Sequence, residues 1–521
     1  MNALVVAVVL TVVVVAVSAL SRKYGLLNPI VLVVVGLCLA MVPGFPVVVL
    51  EPELVLIGVL PPLLYVAALE TSVPAFRLNL RAILLLAVGL VIFTAVAVGL
   101  VVHALLPQVP LAICLALGAV VAPPDAVAAT AVAKRIGLPR RLVTILEGES
   151  LLNDATALVM FRVASTVAVG LAVGPLAVGS QILTAAGGGI LVGALGAVTA
   201  AFLHRRTRDP LIDNSISLLT PFAVTVVAET IHASAVVAVV VTGLYLGHRL
   251  PTLMSAASRL QMGAFWRMVT FLLEGLVFLL VGLNLREVLA ELDTPAAEVI
   301  GLTAAVLVTV VATRFAWMYP ATFLARLVPR MRHRGTGPDF TGATVLAWAG
   351  MRGVVTLATA LALPATLAGD TPYPRALFVW LAFAVIVGTL VLQGMTLPMV
   401  ARRLRVQRDD PTADILAEAQ AQQHASRAAR ERLEASAAGA PPDVVDKLRS
   451  LTELRSNTVW ERLGGERETP SAAYVRLRRE MLEAEREVFR SARDAGRIPE
   501  DVLVRAQRDM DLEESMLERM E

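Results

Sequence analysis

The strongest constraint on this chain is a series of apolar runs, each long enough to cross a lipid bilayer. A bilayer-spanning helix needs about 20 mostly apolar residues, with a range of about 17–25. Such runs fall near residues 3–20, 27–43, 54–69, 83–106, 111–132, 142–168, 181–203, 212–230, 233–247, 265–285, 297–319, 340–364 and 376–400, thirteen in all. Charge is scarce among them: residues 1–401 hold 23 Lys/Arg and 17 Asp/Glu, whereas the segment from Arg402 to the end holds 22 and 25. The expected architecture is an all-α polytopic membrane domain over 1–401 and a cytosolic charged helical tail over 402–521. Soluble chains carry about 25% charged residues; this one carries 17%, with 57% apolar residues. The only two cysteines, Cys38 and Cys114, lie in apolar runs, which excludes a disulfide scaffold. The six histidines are scattered and suggest no metal site. The first run lacks a basic leader and is followed by Arg22–Lys23, so it reads as a retained span rather than a cleaved signal.

Thirteen spans put the two ends of the chain on opposite sides. Lys and Arg accumulate in cytoplasmic loops. The loops after odd-numbered spans hold 18 of them, from Arg22 to Arg330, Arg332 and Arg334, and the loops after even-numbered spans hold only Arg286 and Arg375. The N-terminus is therefore expected outside and the tail inside.

Charges within the spans carry the functional signal, because a charge near the bilayer centre costs at least about 2.5–3.5 kcal/mol. Nine stand out: Asp125, Glu147, Glu149, Asp154, Arg162, Glu229, Glu274, Arg314 and Arg352. Six acids against three bases leave at least three carboxylates without a buried basic partner. Such groups must take up protons or bind cations, and a carboxylate that does both can exchange one for the other.

The fifth run places Pro123–Pro124 directly before Asp125. Proline removes a backbone donor and clashes with the preceding turn, so the helix should break there. Broken helices in transporters present carbonyl oxygens and helix ends to ions near the midplane. A proline kink with Asp125 capping the second half-helix is the plainer alternative. In the sixth run Glu149 and Asn153 are i,i+4 neighbours, as are Ser150 and Asp154, which gathers hard oxygen ligands suited to a small cation such as Na⁺. A capping network near the cytoplasmic end would account for Glu147 and Glu149, but Asp154 lies deepest. In the twelfth run Gly350 and Gly353 flank Arg352 and mark a second broken helix. Arg352 is expected to neutralise Glu149, leaving Asp154 for ions. Glu274 and Arg314 offer a second pair, with Arg162 an alternative base. Glu229 reads equally as a cavity-mouth acid or an interface residue.

Six stretches carry a family resemblance: LPPLLYVAALE (60–70), APPDAVAATAVAKRIGLP (122–139), LEGESLLNDATALV (146–159), AETIHASAVVAVVVTGLYLGH (228–248), FLLEGLVFLLVGL (271–283) and AGMRGVV (349–355). Over essentially its whole length the chain resembles the monovalent cation:proton antiporter-1 family in its bacterial form, related to the eukaryotic sodium/hydrogen exchangers. The resemblance implies inverted repeats with two crossed discontinuous helices, and a homodimer with a six-helix core and a dimerisation domain that cycles by an elevator-like motion. It implies that Asp154 carries the cation and the proton, that Ser150, Asp125 and the unwound backbone at Pro124 line the ion site, and that Glu149 and Arg352 pair near it. Asn153 at its position implies electroneutral one-for-one exchange. One departure stands out. Many members have Thr-Asp-Pro where this chain has Pro124-Asp125-Ala126, so only the Pro124 carbonyl remains to coordinate there.

The expected function is exchange of Na⁺, with Li⁺ or K⁺ as alternatives, for H⁺ across the cell membrane, serving pH homeostasis. The expected partners are monovalent cations, protons and the lipid bilayer, with no nucleic acid and no cofactor beyond the transported ions. A cation channel would give uncoupled, voltage-driven flux. An intramembrane enzyme would need metal ligands or a nucleophile and base at depth. The chain has no His-Glu-x-x-His, and Asp125 lacks the Gly-x-Gly-Asp context of aspartyl proteases. In the tail, Pro441–Pro442 and Gly464–Gly465 should separate short helices, with Arg476–Glu480 and Arg479–Glu483 as exposed i,i+4 pairs. The Arg402–Arg408 cluster suits either anionic lipid or stop-transfer charge.

Overall fold

A computed structural model of the chain describes residues 3–43, 45, 51–171, 174–327, 340–406, 409–461 and 468–518. Arg330, Arg332, Arg334, Arg408, Gly464 and Gly465 lie outside the described residues. The described residues are mostly helical, with no strand among them beyond one isolated bridge between Leu367 and Thr371. The chain divides into two compact units, Met1–Arg408 and Asp409–Glu521.

The first unit runs α1 (Ala3–Tyr24), α2 (Asn28–Ala40), α3 (Leu60–Glu70), α4 (Val73–Leu84), α5 (Val91–Leu105), α6 (Leu111–Val121), α7 (Ala126–Ile136) and α8 (Arg140–Ala168). It continues with α9 (Pro175–Arg206), α10 (Pro210–Thr230), α11 (Ala235–Leu253), α12 (Ala256–Ala290), α13 (Ala296–Leu327), α14 (Phe340–Trp348), α15 (Val354–Leu361), α16 (Arg375–Thr389) and α17 (Met395–Arg403). A turn of π-helix over Leu85–Leu90 joins α4 to α5, and another over Leu390–Gly394 joins α16 to α17, so each pair forms one long rod.

Among the described residues nine helical rods are long and apolar enough to cross a membrane. The runs expected near 27–43, 54–69, 111–132 and 340–364 form shorter or interrupted helices. Of these, α6 and α14 are mostly buried. Two of the long rods turn apolar faces outward: Leu183, Leu191, Leu195 and Val198 of α9 are exposed, as are Leu4, Val8 and Val12 of α1. An apolar surface of this extent suits lipid contact. Where helices meet, small residues admit close approach. A Cβ on Gly36 of α2 would strike the Leu279 carbonyl of α12, and one on Gly282 would strike the Val33 carbonyl. That reciprocal fit holds α2 against α12, the helix that carries Glu274.

The second unit contains α18 (Pro411–Ser436), α19 (Pro442–Glu461), α20 (Pro470–Asp494) and α21 (Glu500–Leu517). Pro442 opens α19, as the sequence suggests, because a helix tolerates proline in its first turn. Val475 and Leu482 of α20 close on Met510 and Leu517 of α21. Arg476 and Glu480 approach to 3.5 Å on the exposed face. Arg478 does more: its Nε and Nη2 donate to the two carboxylate oxygens of Glu513 at 2.7 and 2.8 Å, and its Nη1 donates to Glu485 at 2.8 Å. The guanidinium holds the Glu513 carboxyl below the usual carboxylate range. A depressed carboxylate contributes stability above its unfolded value, and that contribution is lost as pH falls through the folded value. Arg478→Ala should therefore weaken the α20–α21 hairpin by about 1 kcal/mol at neutral pH. Amide exchange in the intact chain should be faster in both helices, and the difference should shrink below about pH 4.3, the ordinary Glu value.

Candidate ion site

The site is built where two helices stop short. α6 ends at Val121, and α7 begins at Ala126 after Ala122, Pro123, Pro124 and Asp125. α14 ends at Trp348, and α15 begins at Val354. The interruptions meet: the Asp125 N–H donates to the Met351 carbonyl at 2.7 Å. Gly353 makes that meeting possible, since a Cβ there would lie 2.5 Å from Cγ of Asp125. Asp125 also accepts from the Ala128 N–H at 3.4 Å, a long cap on the first turn of α7.

Each broken half-helix leaves C-terminal carbonyls that have no water to bond. Two buried arginines meet them. Arg352 donates from Nε to the Val121 carbonyl at 3.0 Å, from Nη2 to the Ala122 carbonyl at 3.2 Å and from Nη1 to the Gly350 carbonyl. Its own N–H donates to Oγ1 of Thr389 at 3.0 Å. Arg314 of α13 reaches the other break and donates to the Leu346 carbonyl at 3.0 Å. Gly350 leaves room for it, because a Cβ there would collide with the Arg314 side chain.

The ion pairs differ from the sequence expectation. Glu149 does not pair with Arg352, and Glu274 does not pair with Arg314. Arg314 instead holds Glu149 in a fork, Nη1 to Oε1 at 2.7 Å and Nη2 to Oε2 at 3.1 Å, with both side chains buried. Arg352 is drawn away by the carbonyls at the end of α6. Arg162 is exposed, Glu229 is half-buried at the end of α10, and Glu147 pairs with Lys134 at 2.9 Å.

On α8 the side chains of Ser150 and Asp154 face a cavity of about 80 Å³ together with Pro123, Pro124, Asp125 and Gly353. Asp154 is 8% exposed, and no basic side chain pairs with it among the described residues. Asn153 is buried beside it: its Nδ2 donates to the Pro124 carbonyl at 2.7 Å, and its Oδ1 accepts from the Asp154 N–H at 2.6 Å. The Pro124 oxygen thus already accepts one hydrogen bond, with a second lone pair remaining.

Glu274 of α12 lines the same cavity, half-buried, with no basic partner among the described residues. Sequence reasoning had given it an arginine. The signal that survives is the excess of acids over bases, which requires unpaired carboxylates without saying which. Asp213, not counted among the nine, is also buried, and His204 meets it at 2.9 Å away from this cavity.

Discontinuous helices that meet beside buried carboxylates inside a multi-pass helical bundle are the arrangement of a membrane ion transporter. The family model for the transmembrane sodium/hydrogen exchanger matches residues 8–403, and the chain belongs to that family of cation/proton antiporters. An uncharacterized Na⁺/H⁺ exchanger of Mycobacterium tuberculosis is 38% identical over 99% of this chain and 96% of its own length. A sodium, potassium, lithium and rubidium/H⁺ antiporter of Bacillus pumilus is 31% identical over 72% of this chain and 58% of its own. The fold is similar to that of the sodium proton antiporter MjNhaP1 from Methanocaldococcus jannaschii, with a TM-score of 0.61 at 19% identity, covering 78% of this chain and 99% of the other.

The Glu149–Arg314 pair tests the electrostatic layout. Removing one partner of a buried pair costs about 3–5 kcal/mol, because the other charge stays buried. Glu149→Gln should lower the melting temperature of the detergent-solubilised protein by several degrees, and Arg314→Met should do so at least as strongly because the Leu346 carbonyl also loses its donor.

Proposed function

We propose that the protein exchanges Na⁺ for H⁺, one for one, at Asp154. The observation that carries this reading is that Asp154 shares a cavity with Ser150, Asp125 and the Pro124 backbone and has no basic partner among the described residues. A carboxylate removed from water without a counter-charge must hold either a proton or a metal cation. It does not hold both, and a carrier that moves only when one guest is bound couples the two fluxes. Ser150, Asp125 and the second lone pair of the Pro124 oxygen complete an oxygen-rich site suited to a small hard cation. Asn153 adds no charge, so the exchange moves none and is insensitive to membrane potential.

The elevator motion, the homodimer with its core and dimerisation domains, and the preference for Na⁺ over Li⁺ and K⁺ are parts of the same proposal. The Bacillus relative's range of cations argues for comparing all of them. Loop charge supports an external N-terminus and a cytoplasmic tail in the cell membrane, where exchange would serve pH homeostasis.

Asp154→Asn should abolish Na⁺-dependent pH recovery in inverted vesicles carrying a pH dye; recovery by that variant overturns the assignment of the carrier. In proteoliposomes an imposed voltage should leave the wild-type rate unchanged. Glu274→Gln should behave differently from Asp154→Asn. It removes one cavity carboxylate and not the carrier, so the Na⁺ concentration for half-maximal rate should rise about tenfold with the maximal rate kept.

A further inference from the structure

A second cavity, of about 780 Å³, lies away from the ion site, where three helices end. α1 turns at Gly25, α7 at Gly137 and α17 at Arg405, and all three residues line the space. The turns are alike. A residue just past each end takes a left-handed conformation, with φ of 66°, 68° and 49°. In each, the next N–H reaches back to close the helix: Leu26 to Ser21, Leu138 to Ala133 and Val406 to Ala401. Glycine is the usual residue at such a position because it has no Cβ to clash. Gly25 and Gly137 follow the rule. Arg405 does not, and a strained side chain kept at a cavity rim points to a role there.

Three guanidiniums line this space, those of Arg135, Arg402 and Arg405, and no carboxylate does. Among the described residues none of the three forms an ion pair or bonds a carbonyl. They are therefore not explained as caps on the helix ends around them. Arg135 reaches over the first turn, its Nη2 2.9 Å from where a Cβ on Gly25 would stand, so the lack of a side chain at Gly25 also clears a path for a guanidinium. The remaining wall is apolar: Leu26, Ile30, Met395 and Pro398 contribute, and Leu26 and Met395 are largely exposed.

We propose that this cleft binds the phosphate headgroup of an anionic phospholipid, with the guanidiniums on the phosphate and the proximal acyl chain along Leu26, Ile30 and Met395. Arginine matches phosphate oxygens in a planar fork. The volume suits a headgroup and glycerol, since pockets for small molecules run from about 300 to 1,000 Å³. The apolar wall selects an amphiphile over a free phosphate. Arg135 belongs to the strongly basic set of loops, and Arg402 and Arg405 open the charged tail on the same side, so by the positive-inside rule the lipid comes from the cytoplasmic leaflet. The site also touches the ion machinery at a distance: α7 starts immediately after Asp125 and ends here, an 11-residue helix about 16 Å long.

The test uses the full chain in nanodiscs of phosphatidylcholine, titrated with phosphatidylglycerol, with bound lipid read by native mass spectrometry and stability by thermal melting. The wild type should retain phosphatidylglycerol and melt higher with it. The triple variant Arg135→Gln, Arg402→Gln, Arg405→Gln should retain at least about tenfold less, the loss of one or two charge-assisted contacts. Arg205→Gln, Arg206→Gln, Arg208→Gln removes equal charge at the α9–α10 turn and should retain lipid as the wild type does; equal loss there overturns the site in favour of bulk charge. Arg405→Gly guards against misfolding. It relieves the left-handed strain, so it should melt about 1–2 °C higher in phosphatidylcholine alone and yet gain less from phosphatidylglycerol. If it gains as much as the wild type, the proposal fails. If inorganic phosphate at millimolar concentration reproduces the stabilisation, the occupant is a free anion and the lipid assignment is overturned.

Discussion

A helix that stops inside a bilayer leaves carbonyls that neither water nor the next turn can bond. The two interruptions at 122–125 and 349–353 exist because something else satisfies them, and two buried arginines do so. Arg352 closes the end of α6, and Arg314 closes the end of α14. A guanidinium suits this task better than an ammonium, since its planar fork offers five donors in fixed directions. It also places a positive charge at the negative end of each half-helix dipole. Glycines clear both approaches: Gly350 yields space to Arg314, and Gly353 yields space to Asp125.

The same two arginines set the charge state of the site. Arg314 spends its charge on Glu149, one turn of α8 before Asn153 and Asp154. Arg352 faces carbonyls, and no carboxylate is bonded to it among the described residues. Asp125, Asp154 and Glu274 line one cavity with Ser150.

Local signals were legible in the sequence and long-range partners were not. Pro123–Pro124 and the Gly350/Gly353 pair mark both interruptions because each acts on its own backbone. The i,i+4 spacing of Ser150 and Asp154 puts them on one face for the same reason. The partner of Glu149 lies 165 residues away on α13. Nothing in the residues around Arg314 or Arg352 distinguishes which guanidinium will find a carboxylate and which a row of carbonyls. The choice depends on how α6, α8 and α13 pack. The buried His204–Asp213 pair escaped for a related reason, since a turn between α9 and α10 brings together two groups at opposite ends of apolar runs. Span lengths were the least legible feature, because the short central helices are continuous in hydropathy with the breaks that divide them.

Asn153 shows how one side chain can serve structure and chemistry together. Its amide is held at both ends: Nδ2 donates to the Pro124 carbonyl, and Oδ1 accepts from the Asp154 N–H. Only a group with a donor on one side and an acceptor on the other fits between them. An ionised aspartate would set a carboxylate oxygen against the Pro124 carbonyl oxygen, lose the link between α8 and the break in α6–α7, and add a fourth negative charge to the neighbourhood of Asp125, Asp154 and Glu274. A protonated aspartate could restore the donor, but then it would contribute no charge. With proline ahead of the acid, the backbone at 124 has no N–H of its own and relies on its oxygen alone. The neutral amide at 153 is what that geometry accepts, and the same neutrality leaves Asp154 as the only carboxylate of the pair.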